Sequence, residues 1–132
     1  MAWQTAFVRA SYDALAPDGS EIRELVRLDR GSMVHCTLRR GTITKAVRHR
    51  SVDEMWYCLA GAGELWRGDG AHAEIVALRP GVCVTISCGV SFQFRANQTL
   101  ELMISTMPPW PGADEAIPAQ GAWPNQGHKG PA

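Results

Sequence analysis

The sequence has little of what marks several large classes of protein. Its 132 residues carry 13 basic and 13 acidic side chains and no basic run with interleaved aromatics, so nothing in its charge favours nucleic acid as a partner. No apolar run is long enough to span a bilayer, and the N-terminal MAWQTAFVRA does not have the pattern of a signal peptide. We therefore expect no nucleic-acid or membrane partner and predict a cytoplasmic protein.

Cysteine is also scarce. The four cysteines are Cys36, Cys58, Cys83 and Cys88, and only the last two are close in sequence. A structural zinc site usually needs a second short pair, which the chain lacks. Because Cys36, Cys58 and Cys83 lie in strand-like runs, where cysteine packs as a small hydrophobe, we expect buried free thiols.

What the sequence does contain is a series of short strand-like runs separated by turns. The runs are Met33–Leu38, Ile43–His49, Glu54–Leu59, Glu64–Arg67, Ala73–Leu78, Val82–Ile86, Ser91–Arg95 and Leu100–Thr106. Between them stand RRG, GAG, GDG, RPG, SCG and ANQ, and we interpret GAG and GDG as hairpin turns. This spacing predicts an all-β sandwich or barrel. Glu21–Leu28 fits either a helix capped by Ser20 or a further strand.

The composition changes after Met107. Six of the eight prolines lie in residues 108–132, which show no strand pattern. We therefore predict one domain over residues 1–107 and an extended Pro/Gly-rich tail over 108–132. Trp110 and Trp123 are the side chains that would attach this tail to the barrel or to a neighbouring subunit.

Two segments resemble the motifs of the cupin superfamily, and the likeness covers about residues 20–107. In RHRSVDEMWYCLAGAGE and the residues just before it, Gly41 stands at the start of the first motif, His49 at its second histidine, Glu54 at its glutamate and Gly61 at its closing glycine. In LRPGVCVTISCGVSFQFRANQ, the pair Pro80–Gly81 and the turn glycine Gly89 match the second motif. HRSVDEMWYCLAGAGELWR and TMPPWPGADEA further resemble small bacterial single-domain cupins. The resemblance implies a double-stranded β-helix, or jelly-roll, barrel that is commonly dimeric and has a site inside its mouth.

Metal-binding cupins hold Fe, Mn, Ni, Cu or Zn with three histidines and one glutamate, and this chain departs from that set. Val47 stands at the first histidine position and Phe92 at the histidine of the second motif, so only His49 and Glu54 remain. Two protein ligands rarely hold a metal. We therefore predict no metal and no other cofactor. The alternative keeps a metal by recruiting His35, which would give a set of two histidines and one carboxylate.

Alternation along the strands predicts what lines the barrel. If His49, Glu54 and Phe92 point inward, their neighbours two positions away do so as well. The predicted ligand-binding residues are His35, Val47, Trp56, Cys58, Phe92 and Phe94, and the outward Tyr57 and Trp66 are predicted for a dimer interface. Such an apolar, aromatic pocket is typical of a small-molecule site, and equally of a filled barrel core.

The function we predict is binding of a small hydrophobic or aromatic molecule, or metal-independent acid–base chemistry on it. An apolar pocket disfavours the charged carboxylate of Glu54, and His49 beside it would hold or pass on the proton. Such a pair suits an isomerase, cyclase or dehydratase, and in it His49 and Glu54 are the catalytic residues. The alternatives are a metal-dependent oxygenase or hydrolase using His35, His49 and Glu54, a non-catalytic binding or accessory protein, and a filled barrel in which Glu54 has a structural role, hydrogen-bonded to His49 or to an arginine. The basic residues Arg39, Arg40, Lys45, Arg48 and Arg50 are expected to form a solvated face, with attraction of an anionic substrate as the alternative.

Overall fold

A computed structural model of the chain describes residues 3–124, and nearly all of their regular structure is β-strand. The strands are β1 (Ala14–Leu15), β2 (Glu21–Leu28), β3 (Gly31–Leu38), β4 (Val47–His49), β5 (Asp53–Gly68), β6 (Ala73–Leu78), β7 (Cys83–Ile86), β8 (Ser91–Met107) and β9 (Ala116–Pro118). A short 3-10 helix, Ala113–Glu115, immediately precedes β9. The all-β prediction is confirmed.

The strands are hydrogen-bonded into one curled antiparallel sheet with two long strands at its centre. β5 and β8 pair with each other from Asp53 opposite Met107 to Gly68 opposite Ser91. The first half of β5 and the second half of β8 are flanked by β7 on one side and by β3, β2 and β1 on the other. The remaining halves are flanked by β6 and by β4 and β9. Both long strands therefore run through two layers, and their inward side chains meet between them.

The predicted GAG hairpin turn is instead a bulge within β5. The register with β8 shifts between Cys58 and Gly63, while the two strands stay paired on both sides of the shift. Glu54, Trp56 and Cys58 are buried before the bulge, whereas Gly63 and Leu65 are buried after it. From the pair Cys58–Leu102 to the pair Gly63–Ala96, β5 advances five residues and β8 six, so the inward face of β5 changes from even to odd positions. Gly61 has the positive φ of 94° that this backbone needs.

The barrel is filled at the end near this bulge. Leu38, Leu65, Leu78, Leu100 and Leu102 are fully buried there and belong to one hydrophobic cluster with Cys58. The opposite end holds the larger aromatic side chains, and the core there is not closed. The inward positions predicted by alternation are therefore split between a packed end and an open end.

One open choice is decided by the structure, and two other segments differ from expectation. Glu21–Leu28, left open between helix and strand, forms β2 and pairs with β3. ANQ does not end a strand, because β8 continues through it to Met107. Of the predicted run Ile43–His49, only Val47–His49 forms a strand, and Ile43 makes a single bridge to Arg95.

The segment after Met107 is attached to the barrel over its described part. β9 pairs with β4, opposing Ala116 to His49 and Pro118 to Val47. The backbone N–H and the carbonyl of Trp123 bind the side-chain amide of Gln93, and Arg95 lies over the Trp123 ring. Residues 125–132 of the predicted tail lie outside the described residues.

Cys36 and Cys58 are buried free thiols, as expected. Cys83 is exposed, contrary to expectation, because Val84 and Ile86 occupy the inward positions of β7. No helix within residues 3–124 is long and apolar enough to cross a membrane.

Candidate functional site

A cavity of about 320 Å³ occupies the open end of the barrel. Strands β3, β4, β5 and β8 form its inner wall, and residues 13–18 together with Trp110 and Ala113 form its outer wall. Exposed residues at its rim, among them Asp13, Leu15 and Glu24, connect it to solvent. The volume is at the small end of the range for small-molecule sites. The barrel is therefore not a completely filled core.

Glu54 is the acidic group on the inward face of β5. Its side chain lines the cavity and is only 6% exposed. Burial raises the pKa of Glu54 to about 7; the hydrogen bond from Trp56 lowers it in part, and the charge of Asp18 raises it further. The indole Nε1–H of Trp56 donates to Glu54 Oε1 at 2.9 Å. Near neutral pH this carboxyl group both releases and accepts a proton readily.

His49 lines the same cavity from β4. Its ring packs edge-on against Phe92 at 5.1 Å and against Trp110 at 5.4 Å between centroids. Burial lowers the pKa of His49, with partial opposition from the charge of Glu115, so its neutral form is favoured. The Nδ1 atom is buried and has no hydrogen-bond partner among residues 3–124.

His49 and Glu54 are placed to act separately and not as a hydrogen-bonded pair. The hydrogen bond seen at the Glu54 carboxylate within residues 3–124 comes from Trp56, not from His49 or an arginine. The structural alternative, in which Glu54 is held by His49 or by an arginine, is therefore not what the geometry shows. Both groups line the same cavity.

The structure adds Asp18, which sequence reasoning did not select. Asp18 lines the cavity, is 8% exposed, and accepts hydrogen bonds from the backbone N–H and the hydroxyl of Ser20. Burial raises the pKa of Asp18, and the two bonds from Ser20 lower it in part. The sequence signal is the Asp-Gly-Ser turn, in which an aspartate caps the backbone two residues on. That signal predicts the turn but not the direction in which the turn faces.

Glu115 connects the C-terminal segment to this end of the barrel. Its carboxylate accepts bonds from the hydroxyl and N–H of Ser51 and from the N–H of Val52. Burial acts to raise the pKa of Glu115, but these bonds hold it below its usual value. An ionised carboxylate is thus kept close to His49 without lining the cavity itself.

Four of the six predicted ligand-binding residues line the cavity and two do not. Val47, Trp56, Phe92 and Phe94 are in its wall. Cys58 points inward but is packed in the filled half of the barrel. His35 alternates with the inward Val34 and Cys36 on β3, so it lies on the other face, with Nε2 3.3 Å from Glu101. Burial lowers the pKa of His35, which Glu101 partly opposes.

The predicted alternative metal set is therefore not assembled. His35 lies on the opposite face of the sheet from His49 and Glu54, and an apolar side chain stands at each of the other two motif positions, Val47 and Phe92. Within residues 3–124 no three His, Cys, Asp or Glu side chains lie close enough together to hold a metal ion. The donors of this cavity do not fit the metal centre of the cupins.

Comparison with solved structures identifies the fold. Ectoine synthase from P. lautus is 19% identical with a TM-score of 0.65, over 83% of this chain and 82% of the other. KdgF from Halomonas sp. is 17% identical with a TM-score of 0.68, over 84% and 97% of the two chains. A variant of Streptomyces PAC13 with uridine is 13% identical with a TM-score of 0.72, over 92% and 93%.

These likenesses show a fold and not a shared activity, because the sequence identities are low. A Klebsiella pneumoniae protein described as having a double-stranded β-helix domain matches with a TM-score of 0.64, at 14% identity, over 86% of this chain and 91% of the other. No family model matches the sequence, and no curated protein does so either. The chain has the cupin-type double-stranded β-helix fold, as its motif spacing predicted.

Proposed function

We propose that this protein binds a small, largely apolar molecule in the barrel cavity and catalyses metal-independent proton transfer on it, as an isomerase, cyclase or dehydratase would. The observation that carries the proposal is Glu54, a carboxyl group buried in an aromatic cavity with its pKa raised to about 7. A general acid or base works best when its pKa is near the working pH.

The surroundings of Glu54 support this role. The indole of Trp56 fixes one carboxylate oxygen of Glu54, which leaves the other available to a bound molecule. Phe92 and Phe94 provide apolar walls for a flat substrate. His49, kept neutral by burial, is the second group in reach of the cavity and supplies a ring nitrogen as acceptor or donor.

The fold itself is compatible with catalysis, since one of the similar structures is an ectoine synthase. We propose that no metal takes part, on the ground that Val47 and Phe92 stand where histidines would be needed and His35 faces away. The prediction of a cytoplasmic protein and of a homodimer also stands as a proposal.

Hydrogen exchange at carbon tests the catalytic role without knowledge of the natural reaction. Small ketones that shift the NMR signals of Trp56 and Phe92 would be incubated with the chelator-treated protein in D2O, and exchange of their α-protons would be followed by proton NMR. We expect exchange with the wild type and a loss of about 100-fold or more in Glu54→Gln. Glu74→Gln, at an exposed position on β6, is the matched control and should keep the full rate.

Each other result has a defined meaning. An equal exchange rate in Glu54→Gln would remove Glu54 as the acid–base group. Binding without exchange in the wild type would leave a non-catalytic binding protein. Recovery of exchange only when Fe, Mn, Ni, Cu or Zn is added back would show that a metal is required.

A further inference from the structure

The ionisable side chains that line the cavity are, apart from His49 and the thiol of Cys36, all carboxylic acids. They are Asp13, Asp18, Glu24 and Glu54, and no lysine or arginine among residues 3–124 joins them in the lining. Asp13 and Glu24 stand at the rim, whereas Asp18 and Glu54 lie inside. Asp13 is paired with Arg9, so an anionic ligand entering the cavity would meet mainly the carboxyl groups of Asp18, Glu24 and Glu54.

The two inner carboxyl groups are held by neutral donors alone. Asp18 accepts from Ser20, and Glu54 accepts from Trp56. Buried carboxylates are usually paired with a cation, because an unpaired buried charge is costly. Here the described residues supply hydrogen bonds to Asp18 and Glu54 but no positive charge. A ligand would have to supply that charge.

Three arginines that do not line the cavity already have partners. Arg9 pairs with Asp13 at the rim, and Arg50 donates to the carbonyl of Asp114. Arg39 binds Glu21 through two hydrogen bonds. The attraction of an anionic substrate by the arginines is therefore not supported, since none of them lines the cavity.

The rest of the lining also suits a cation. Trp56, Phe92, Phe94 and Trp110 line the cavity, and aromatic faces attract ammonium groups within about 6 Å. His49 is 4% exposed and lines the same space, and its buried Nδ1 atom has no hydrogen-bond partner among residues 3–124. An aromatic wall, two buried carboxyl groups and an unpartnered imidazole together provide both charge and hydrogen bonds for an N–H group.

We propose that the natural ligand is a protonated organic amine with a flat apolar body, whose ammonium group lies near Asp18 and Glu54. This inference depends on the proposed function only because it concerns the same cavity. It adds the chemical class of the substrate. The apolar body would lie against Phe92 and Phe94, with the amine directed toward the carboxyl groups.

Amine binding should be coupled to proton release. Glu54 is faced by Asp18 from the outer wall, His49 from β4, Cys36 from β3, and the charge of Glu115 from the C-terminal segment. Because a cation favours the ionised carboxylate, affinity should rise as pH increases from 5 toward the pKa of Glu54 at about 7. Below that pKa the gain is at most about tenfold per pH unit for each carboxyl group that loses its proton on binding.

Three probes that differ only in their polar end test the inference. 2-Phenylethylamine, 2-phenylethanol and phenylacetate would be titrated into isotope-labelled full-length protein, and dissociation constants would be obtained from NMR shifts of cavity residues. We expect the amine to bind about tenfold or more tightly than the alcohol at pH 7, with phenylacetate weakest. Equal or tighter binding of phenylacetate, or no binding of the amine, would overturn the proposal.

Isosteric variants show which carboxyl groups cause the preference for the amine. Asp18→Asn and Glu54→Gln should each reduce the preference for amine over alcohol, whereas Glu74→Gln should leave it unchanged. An unaltered preference in both cavity variants would contradict the proposal, and their folding is checked by the same spectra. If the protein prefers the amine but hydrogen exchange is unaffected by Glu54→Gln, only the catalytic proposal is contradicted. If exchange depends on Glu54 but the protein prefers phenylacetate, only the proposal of an amine ligand is contradicted.

Discussion

At the scale of single residues, the position of Glu54 next to Trp56 on one strand face decides its chemistry. Two residues apart on β5, both side chains point into the cavity, and the indole N–H donates to the carboxylate. The same aromatic lining that raises the pKa of Glu54 thus also supplies the neutral donor that limits the rise. The balance leaves the carboxyl group near the point of half-ionisation at neutral pH.

Replacement of Trp56 by phenylalanine tests this balance. The hydrogen bond from Trp56 stabilises the ionised carboxylate, so Trp56→Phe should raise the pKa of Glu54 above about 7. Asp18→Asn should change it in the opposite direction, because the charge of Asp18 disfavours a second negative charge. Carbon-13 NMR titration of the glutamate carboxyl signals measures both, and shifts of the same sign in the two variants would contradict the account.

The sequence predicted most of the single residues that point into the barrel, but not which of them line the cavity together. Motif spacing indicated His49, Glu54 and Phe92, and alternation indicated Trp56 and Phe94, all of which line the cavity. His35 was misplaced because a single histidine on a strand carries no sign of which face it occupies. Asp18 was missed because its direction depends on how residues 13–18 fold back over the barrel, which no local pattern encodes.

At the scale of elements, the bulge in β5 determines which side chains meet in the core. The sequence GAG resembles a turn, yet pairing with β8 continues on both sides of it. The glycines permit close approach of the two strands, since a Cβ on Gly61 would lie 2.0 Å from the carbonyl oxygen of Thr99. A local glycine pattern cannot distinguish a turn from such a bulge, because the difference depends on a partner strand far away in sequence.

Two glycines with equal φ provide a matched test of the bulge. Gly61 and Gly70 both have φ of +94°, but a Cβ at Gly70 meets nothing within 4 Å. Gly70→Ala should therefore cost only the backbone strain, about 1–2 kcal/mol. Gly61→Ala adds the overlap with Thr99 and should cost more than about 3 kcal/mol or prevent folding. Unfolding in urea measures the free energies, and equal losses would contradict the bulge geometry.

At the scale of the whole molecule, the barrel has one filled end and one hollow end. Leucines from five positions close the end near the bulge, whereas bulky aromatic side chains hold the other end open around Glu54. The fold could be predicted from motif spacing and strand period because these are repeated along the chain. The hollow end of the barrel could not be predicted from the sequence, because it depends on how the two layers of the sheet fit together and on the segment beyond Met107.

The homodimer that the resemblance implies stays a prediction, and it has a clear measurement. Met55, Tyr57 and Leu59 are the outward residues of the first half of β5 and are each about half exposed. Burial of such apolar side chains would favour association. Sedimentation should give twice the chain mass of 14.4 kDa, and Tyr57→Asp should shift the protein toward monomer. A wild type that sediments as a monomer would remove the prediction.

The buried carboxyl group also sets how stability depends on pH. The pKa of Glu54 is raised from 4.5 to about 7 in the folded state. Between these values the folded chain therefore binds more protons than the unfolded chain, and its free energy of unfolding falls as pH rises. The loss is up to about 3 kcal/mol from this one group, and it is complete only above its folded-state pKa.

Glu54→Gln removes this loss, so its stability relative to the wild type should increase by about 2–3 kcal/mol from pH 4 to pH 8. His49→Gln is the control of opposite sign. The pKa of His49 is lowered in the folded state, so the wild type gains stability as pH rises toward 6.5, and the variant loses that gain. Urea unfolding at a series of pH values measures both differences. If the difference in free energy of unfolding between Glu54→Gln and the wild type did not change with pH, Glu54 would be ionised as readily in the barrel as in water. The proton-transfer proposal would then lose its basis.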